Sequence, residues 1–159
     1  MQTLDTAFRG YSEVSVDSKG RLAVPTRYRD VLDRVCAGRL VLTLDPFSPC
    51  LLLYPEPHWL EVQASVEALP NLSGHTRMIQ RKLIGSACDI ELDSGGRLLL
   101  PSSLRAKQAI AKKVVIIGQG SKFEIWSQEA WLAEEEKFEQ EMAALDMNNL
   151  PPELANLTL

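Results

Sequence analysis

Two stretches of the chain alternate apolar and polar positions and then break in the same way. "YSEVSV" at Tyr11–Val16 and "ACDIEL" at Ala87–Leu92 put Val14 and Val16, and Ile90 and Leu92, on one side of a half-buried strand. Each runs into a decamer, "VDSKGRLAVP" from Val16 and "LDSGGRLLLP" from Leu92, that spaces Asp17, Arg21 and Pro25 like Asp93, Arg97 and Pro101 at an offset of 76. After the Asp, "SKG" or "SGG" turns the chain, since Gly20 and Gly96 tolerate positive φ and serine hydroxyls close turns locally. Apolar "RLAV" or "RLLL" then supplies a second strand, so each decamer is expected to be a hairpin with its tip between Asp and Arg.

The correspondence continues downstream. Pro25 and Pro101 end the strand and open a helix, with Thr26 and Ser102 expected near its cap. In the first copy Tyr28, Val31, Leu32 and Val35 recur at helical spacing and form one apolar face, whereas "SSLRAKQAIA" has a weaker stripe. Apolar strands follow at Leu40–Leu44 and Val114–Gly118, then at Cys50–Pro55 and Lys122–Ser127. Longer helices come next, with Trp59/Leu60 and Trp131/Leu132 near their starts. The offset falls from 76 to 74 to 72, which needs only two small loop deletions.

The pattern divides the chain into a first repeat at 8–55, connecting helices at 56–84, a second repeat at 85–127 and a C-terminal acidic helix and tail at 128–159. A lobe of about 45 residues buries too little surface to stand alone, so the repeats are expected to share one core. The fold class is α+β, a β-rich pseudo-dimer with flanking helices. Trp59, Val62, Val66 and Leu69 form one helical stripe, and Trp131, Phe138, Met142 and Leu145 another; both are read as core or subunit interface. Pro151 and Pro152 predict a frayed tail.

Charge changes the picture more than composition does. The 159 residues are 45% apolar and carry a net charge of −4, which argues against a nucleic-acid partner. From Glu129 onward, however, eight acidic residues face one lysine, leaving 16 basic and 13 acidic residues before it. A body of net +3 with an acidic tail leaves an anion-binding surface open. Arg77 and Arg81 share a helix face in the basic connecting stretch and are read as solvated. Cys36, Cys50 and Cys88 are odd in number and widely spaced, which supports neither a disulfide framework nor a zinc knuckle; the expectation is buried thiols, with no metal and no cofactor. No apolar run approaches the ~20 residues of a membrane span, and "MQTLDTAFRG" lacks the apolar stretch of a secretory signal, which points to the cytoplasm.

"FRGYSEVSVDSKGRLAVPTRYRDVL", "CLLLYP" before "HWL", "GSACDIELDSGGRLLLPSSLR" and "KFEIW" together closely resemble the MraZ family of bacterial transcriptional regulators. The resemblance runs from about Phe8 to the last long helix. It implies two tandem SpoVT-AbrB-type domains, of swapped-hairpin or double-psi-like barrel type. It also implies a nucleoid-associated repressor of its own operon, at the start of the division and cell wall gene cluster. Such proteins form cyclic homo-oligomers on tandem promoter repeats of double-stranded DNA, with no membrane and no small-molecule substrate. Two departures stand out: residues 1–7 precede the usual start of the pattern, as an extended start or an arm, and Gly95 replaces the Lys19 of the first copy.

A two-stranded ribbon fits the major groove, where arginine bridges guanine O6 and N7. Lys19 and Arg21 are the candidates for that contact. Arg9, Arg27 and Arg29 flank the first tip, and Arg97 and Arg105 lie in the other half, as candidates for phosphate neutralisation. The competing reading of each DxxxR is structural: Asp17 and Asp93 accept turn amides and pair with Arg21 and Arg97 to hold the turn. For Arg97 both readings remain open. No catalytic residue is assigned, because His58 and His75 lie in no ligand motif and neither GxxxxGK[ST] nor GxSxG occurs. The remaining alternative is an oligomeric protein-binding scaffold or antitoxin-like module that leaves the tips idle.

Overall fold

The computed structural model describes residues 8–70 and 72–159, so the expected N-terminal extension at 1–7 lies outside the described residues. The chain forms two compact units, one ending at Gln128 and the other spanning Glu129–Leu159.

In the first unit the element order repeats itself. Strands β1 (Phe8–Ser15) and β2 (Arg21–Ala23), helix α1 (Thr26–Cys36), strands β3 (Arg39–Leu44) and β4 (Leu51–Pro55) and helix α2 (Glu56–Glu67) form the first series. Helix α3 (Gly74–Leu83) connects it to β5 (Cys88–Glu91), β6 (Arg97–Leu99), α4 (Ser102–Lys107), β7 (Lys113–Gly120) and β8 (Phe123–Ser127). Helix α5 (Gln128–Ala143) and the single-turn α6 (Pro152–Ala155) complete the chain, α6 standing where the tail was expected to fray.

Six strands form one antiparallel sheet in the order β1-β7-β8-β4-β3-β5, and β2 and β6 form a separate two-stranded ribbon. The order reads the same from either end when the repeats are exchanged. The register obeys the exchange too: Val14 lies opposite Val114 and its equivalent Ile90 opposite Leu40. Leu52 lies opposite Glu124, its own equivalent, so the pseudo-two-fold passes between β4 and β8.

This pairing corrects the expectation that each decamer closes on itself. Within the first decamer the ladder is a single bridge, Val16 to Leu22. Strand β1 instead pairs with β7 of the other repeat, β5 pairs with β3, and β2 pairs with β6. The physical reason is size, because a three-residue arm with one inward leucine has almost nothing to bury alone. Exchanged between repeats, Leu22 and Leu98 meet in the shared core, both fully buried. That core draws on both series, with Phe8, Tyr28 and Phe123 in mutual ring contact at 4.4–5.9 Å beside Leu32, Leu42, Leu104 and Ile116.

The helix entries differ from expectation as well. Pro25 and Pro101 occupy the N-cap positions of α1 and α4, with no side-chain cap, so Thr26 and Ser102 lie one position too far along to accept. Helix α1 buries Tyr28, Leu32 and Cys36 and ends at Ala37, whose left-handed φ of 53° turns the chain so that Gly38 N–H returns to Leu32 O at 3.3 Å. Of the first tryptophan stripe, Trp59 and Val66 are buried while Leu69 is 42% exposed. In the second unit, Phe138 and Met142 are 60% and 47% exposed, so that stripe is not core within its unit. Among the described residues, no helix is long and apolar enough to cross a membrane.

Candidate nucleic-acid interface

The two decamer turns are near-copies at atomic detail. Asp17 Oδ1 accepts the backbone N–H of Lys19 and of Arg21, each at 2.9 Å, and Oδ2 accepts Arg21 Nε at 2.8 Å. Asp93 does the same with Gly95 and Arg97, at 2.9, 2.9 and 3.0 Å. The backbone N–H of Arg21 is the first cause holding the Asp17 carboxyl below its ordinary value, and that of Arg97 does the same for Asp93. Gly20 and Gly96 close the turns at φ of +82° and +73°, a region open to glycine at little cost.

The ribbon decides where the arginines point. Arg21 lies opposite Leu99, and Ala23 opposite Arg97. Side chains alternate across a strand, so these four share one face and the fully buried Leu22 and Leu98 share the other. Arg21 and Arg97 are therefore diagonal neighbours on the outward face, with backbones ~7–8 Å apart. Their Nε atoms are tied to Asp17 and Asp93, while the side chains remain 30% and 41% exposed.

Two more arginines approach the turns of this ribbon from the opposite repeats. Leu100 N–H donates to Gly20 O at 2.9 Å and Val24 N–H to Gly96 O at 3.0 Å, so each turn sits beside the helix entry of the other repeat. A Cβ built on Gly20 would come within 3.2 Å of Arg105 Nη1, and one on Gly96 within 2.8 Å of Arg29 Cζ. Arg29 Nε also donates to Val24 O at 3.0 Å. The structure thus gathers Arg21, Arg97, Arg29 and Arg105 around one ribbon, with the exposed Lys19 at the first turn.

Arg9 and Arg27 form a separate group along β1. Arg27 Nη2 donates to Ser12 Oγ at 2.6 Å, and its guanidinium lies 4.5 Å from the Tyr28 ring centroid. The Tyr28 hydroxyl donates to Arg9 O. At an offset of 76 these positions are Gly85 and Ser103, so this group is confined to the first repeat. The sequence placed Arg29 and Arg105 beside the tips of their own repeats but gave no sign that each crosses to the other repeat's turn, because that follows from the exchanged pairing.

Comparison with known proteins agrees with this architecture. A family description reading "MraZ protein, putative antitoxin-like" matches residues 7–82 and again 83–150. A protein named "Transcriptional regulator MraZ" from Nitrosospira multiformis is 46% identical over 152 residues, covering 96% of this chain and 99% of that one. Namesakes from Pseudomonas aeruginosa and Pseudomonas putida are 45% and 44% identical over 153 residues, again covering 96% of this chain and 99% of each relative. With both halves matched and nearly the whole length shared, the chain belongs to the MraZ family.

Proposed function

We propose that this protein is a transcription regulator that binds double-stranded DNA through the outward face of the β2–β6 ribbon and represses its own operon. The observation that carries the reading is the gathering of Arg21, Arg97, Arg29 and Arg105 around one ribbon and its two turns, in a body of net +3. Guanidinium forks suit phosphate and guanine acceptors. Lys19 has no equivalent at Gly95, and Arg9 and Arg27 none at Gly85 and Ser103, so the first repeat supplies more of the contacts. Asp17 and Asp93 hold the turns, leaving the guanidinium ends of Arg21 and Arg97 to the ligand.

One such face makes few contacts and binds weakly. A cyclic homo-oligomer repeating it along tandem boxes makes later contacts intramolecular, raising apparent affinity by roughly 10²–10⁴. Boxes spaced by one helical turn, ~10 bp, present the same side of the duplex to successive subunits. Such binding holds the protein at the nucleoid. The reading is non-catalytic and needs neither a cofactor nor a small molecule.

A protein-binding scaffold is the second reading, favoured by the exposed Phe138 and Met142 on the glutamate-rich α5. Nuclease protection of the DNA just upstream of the protein's own reading frame separates the two. Protected direct repeats support the regulator; an unprotected promoter at low salt, with folded protein, supports the scaffold.

A further inference from the structure

Away from the arginine face, Asp45, Cys50 and Glu124 bring one donor atom each to within 4.8 Å of one another where the two repeats meet. Asp45 and Cys50 bracket the β3–β4 loop of the first repeat, and Glu124 comes from β8 of the second. Cys50 has no exposed surface, and its Sγ points at Asp45 Oδ2 from 3.6 Å. Donors around a tetrahedral zinc stand about 3.3–3.8 Å apart, given bond lengths near 2.0–2.3 Å, so this edge already has the needed length. Glu124 has to move by roughly an ångström to complete the set.

The groups behind these donors are fixed in ways that leave the inward atoms available. Asp45 Oδ1 accepts Phe47 N–H at 2.8 Å and Ser48 N–H at 3.3 Å, which turns Oδ2 towards the thiol. Glu124 Oε1 accepts Trp126 Nε1 at 3.1 Å. Gln108 Nε2, from the second repeat, donates to Cys50 O at 2.9 Å, and Cys50 N–H returns to Ser48 O at 2.8 Å. Outer hydrogen bonds of this kind orient ligands in metal centres.

The geometry points to a divalent-cation site formed by Cys50 Sγ, Asp45 Oδ2 and a Glu124 oxygen, clamping the two repeats together. A thiolate beside two carboxylates suits a borderline cation of the zinc class and disfavours magnesium or calcium. Binding replaces the thiol proton, which leaves to solvent as the sulfur–metal bond forms. The site is independent of DNA recognition. Lys122, which immediately precedes β8 and whose ammonium lies 5.8 Å from the Tyr54 ring, is the competing counter-charge.

Cobalt(II) titration of the chelator-treated full-length protein tests the site, since thiolate-to-cobalt charge transfer is visible only when sulfur ligates. The expected result is that band at a single equivalent per chain, retained in Cys36→Ser and Cys88→Ser and lost in Cys50→Ser. Should Cys50→Ser fail to fold, Glu124→Gln and Asp45→Asn carry the test, each weakening cobalt affinity by roughly tenfold or more. Absence of the band from the wild type, or its persistence at unchanged affinity in folded variants of all three donors, overturns the site and leaves the carboxylates to Lys122.

Discussion

The guanidinium of Arg29 lies across Gly96, so that a Cβ at that glycine would meet Arg29 Cζ at 2.8 Å. One repeat's helix thereby covers the other repeat's turn, and turn geometry and charge placement are a single feature. Gly96→Ala has to displace Arg29 and also hold alanine at φ +73°. The expected cost is about 1–3 kcal/mol, read by urea unfolding, together with weaker promoter binding.

Gly95 differs from its neighbour because its φ is unexceptional and an added Cβ meets Arg97 Nε at 3.3 Å, a tight contact that the flexible arginine has to relieve by a few tenths of an ångström. Gly95→Lys restores the first repeat's lysine at the second turn. Filter binding across a salt series should show tighter binding and a salt dependence steeper by ~0.9. A slope equal to wild type places the second turn away from phosphate.

The turn carboxylates set an acid limit. Asp17 and Asp93 are held below 3.8 first by the N–H of Arg21 and Arg97, despite an opposing desolvation effect. A depressed folded-state pKa stabilises above the unfolded value, and that contribution is lost as pH falls through 3.8 towards the folded value. Carboxyl NMR titration should place both below 3.8. Asp17→Asn and Asp93→Asn should each lower the melting temperature at neutral pH, with the difference vanishing in acid.

At the alkaline end, Tyr54 is pushed up to about 12 by burial first and then by Asp45 and Glu124. An unfolded tyrosine ionises near 10.0, so the stability present below that value is lost as pH rises from 10.0 towards 12. Tyr54→Phe keeps the ring against Trp59, 5.5 Å between centroids, and should flatten the pH dependence of the urea midpoint in that window.

Much of this architecture was legible in the residues. The alternation at Tyr11–Val16 and the repeated decamer at an offset of 76 mark two copies and give each a short apolar strand after its turn. Partner choice was not legible, because Leu22 facing Val16 alone and Leu22 facing Leu98 have the same local pattern. Only the requirement that a three-residue strand bury its leucine selects the exchanged ribbon. For the same reason the sequence marked Arg21 and Arg97 as equivalents but not as diagonal neighbours on one face. Cys50 looked like an isolated thiol because its companions, Asp45 and Glu124, come together only across the repeat boundary.

The location of the DNA-binding face is tested most directly by the slope of log affinity against log salt for promoter DNA. The comparison is among the wild type, Lys19→Ala/Arg21→Ala and Arg77→Ala/Arg81→Ala, the last pair lying on the exposed face of α3. The ribbon-face variant should flatten the slope, by ~0.9 for each of the two side chains that contacts phosphate, while the α3 variant leaves it unchanged. An unchanged slope in the first variant, with flattening in the second, contradicts the account.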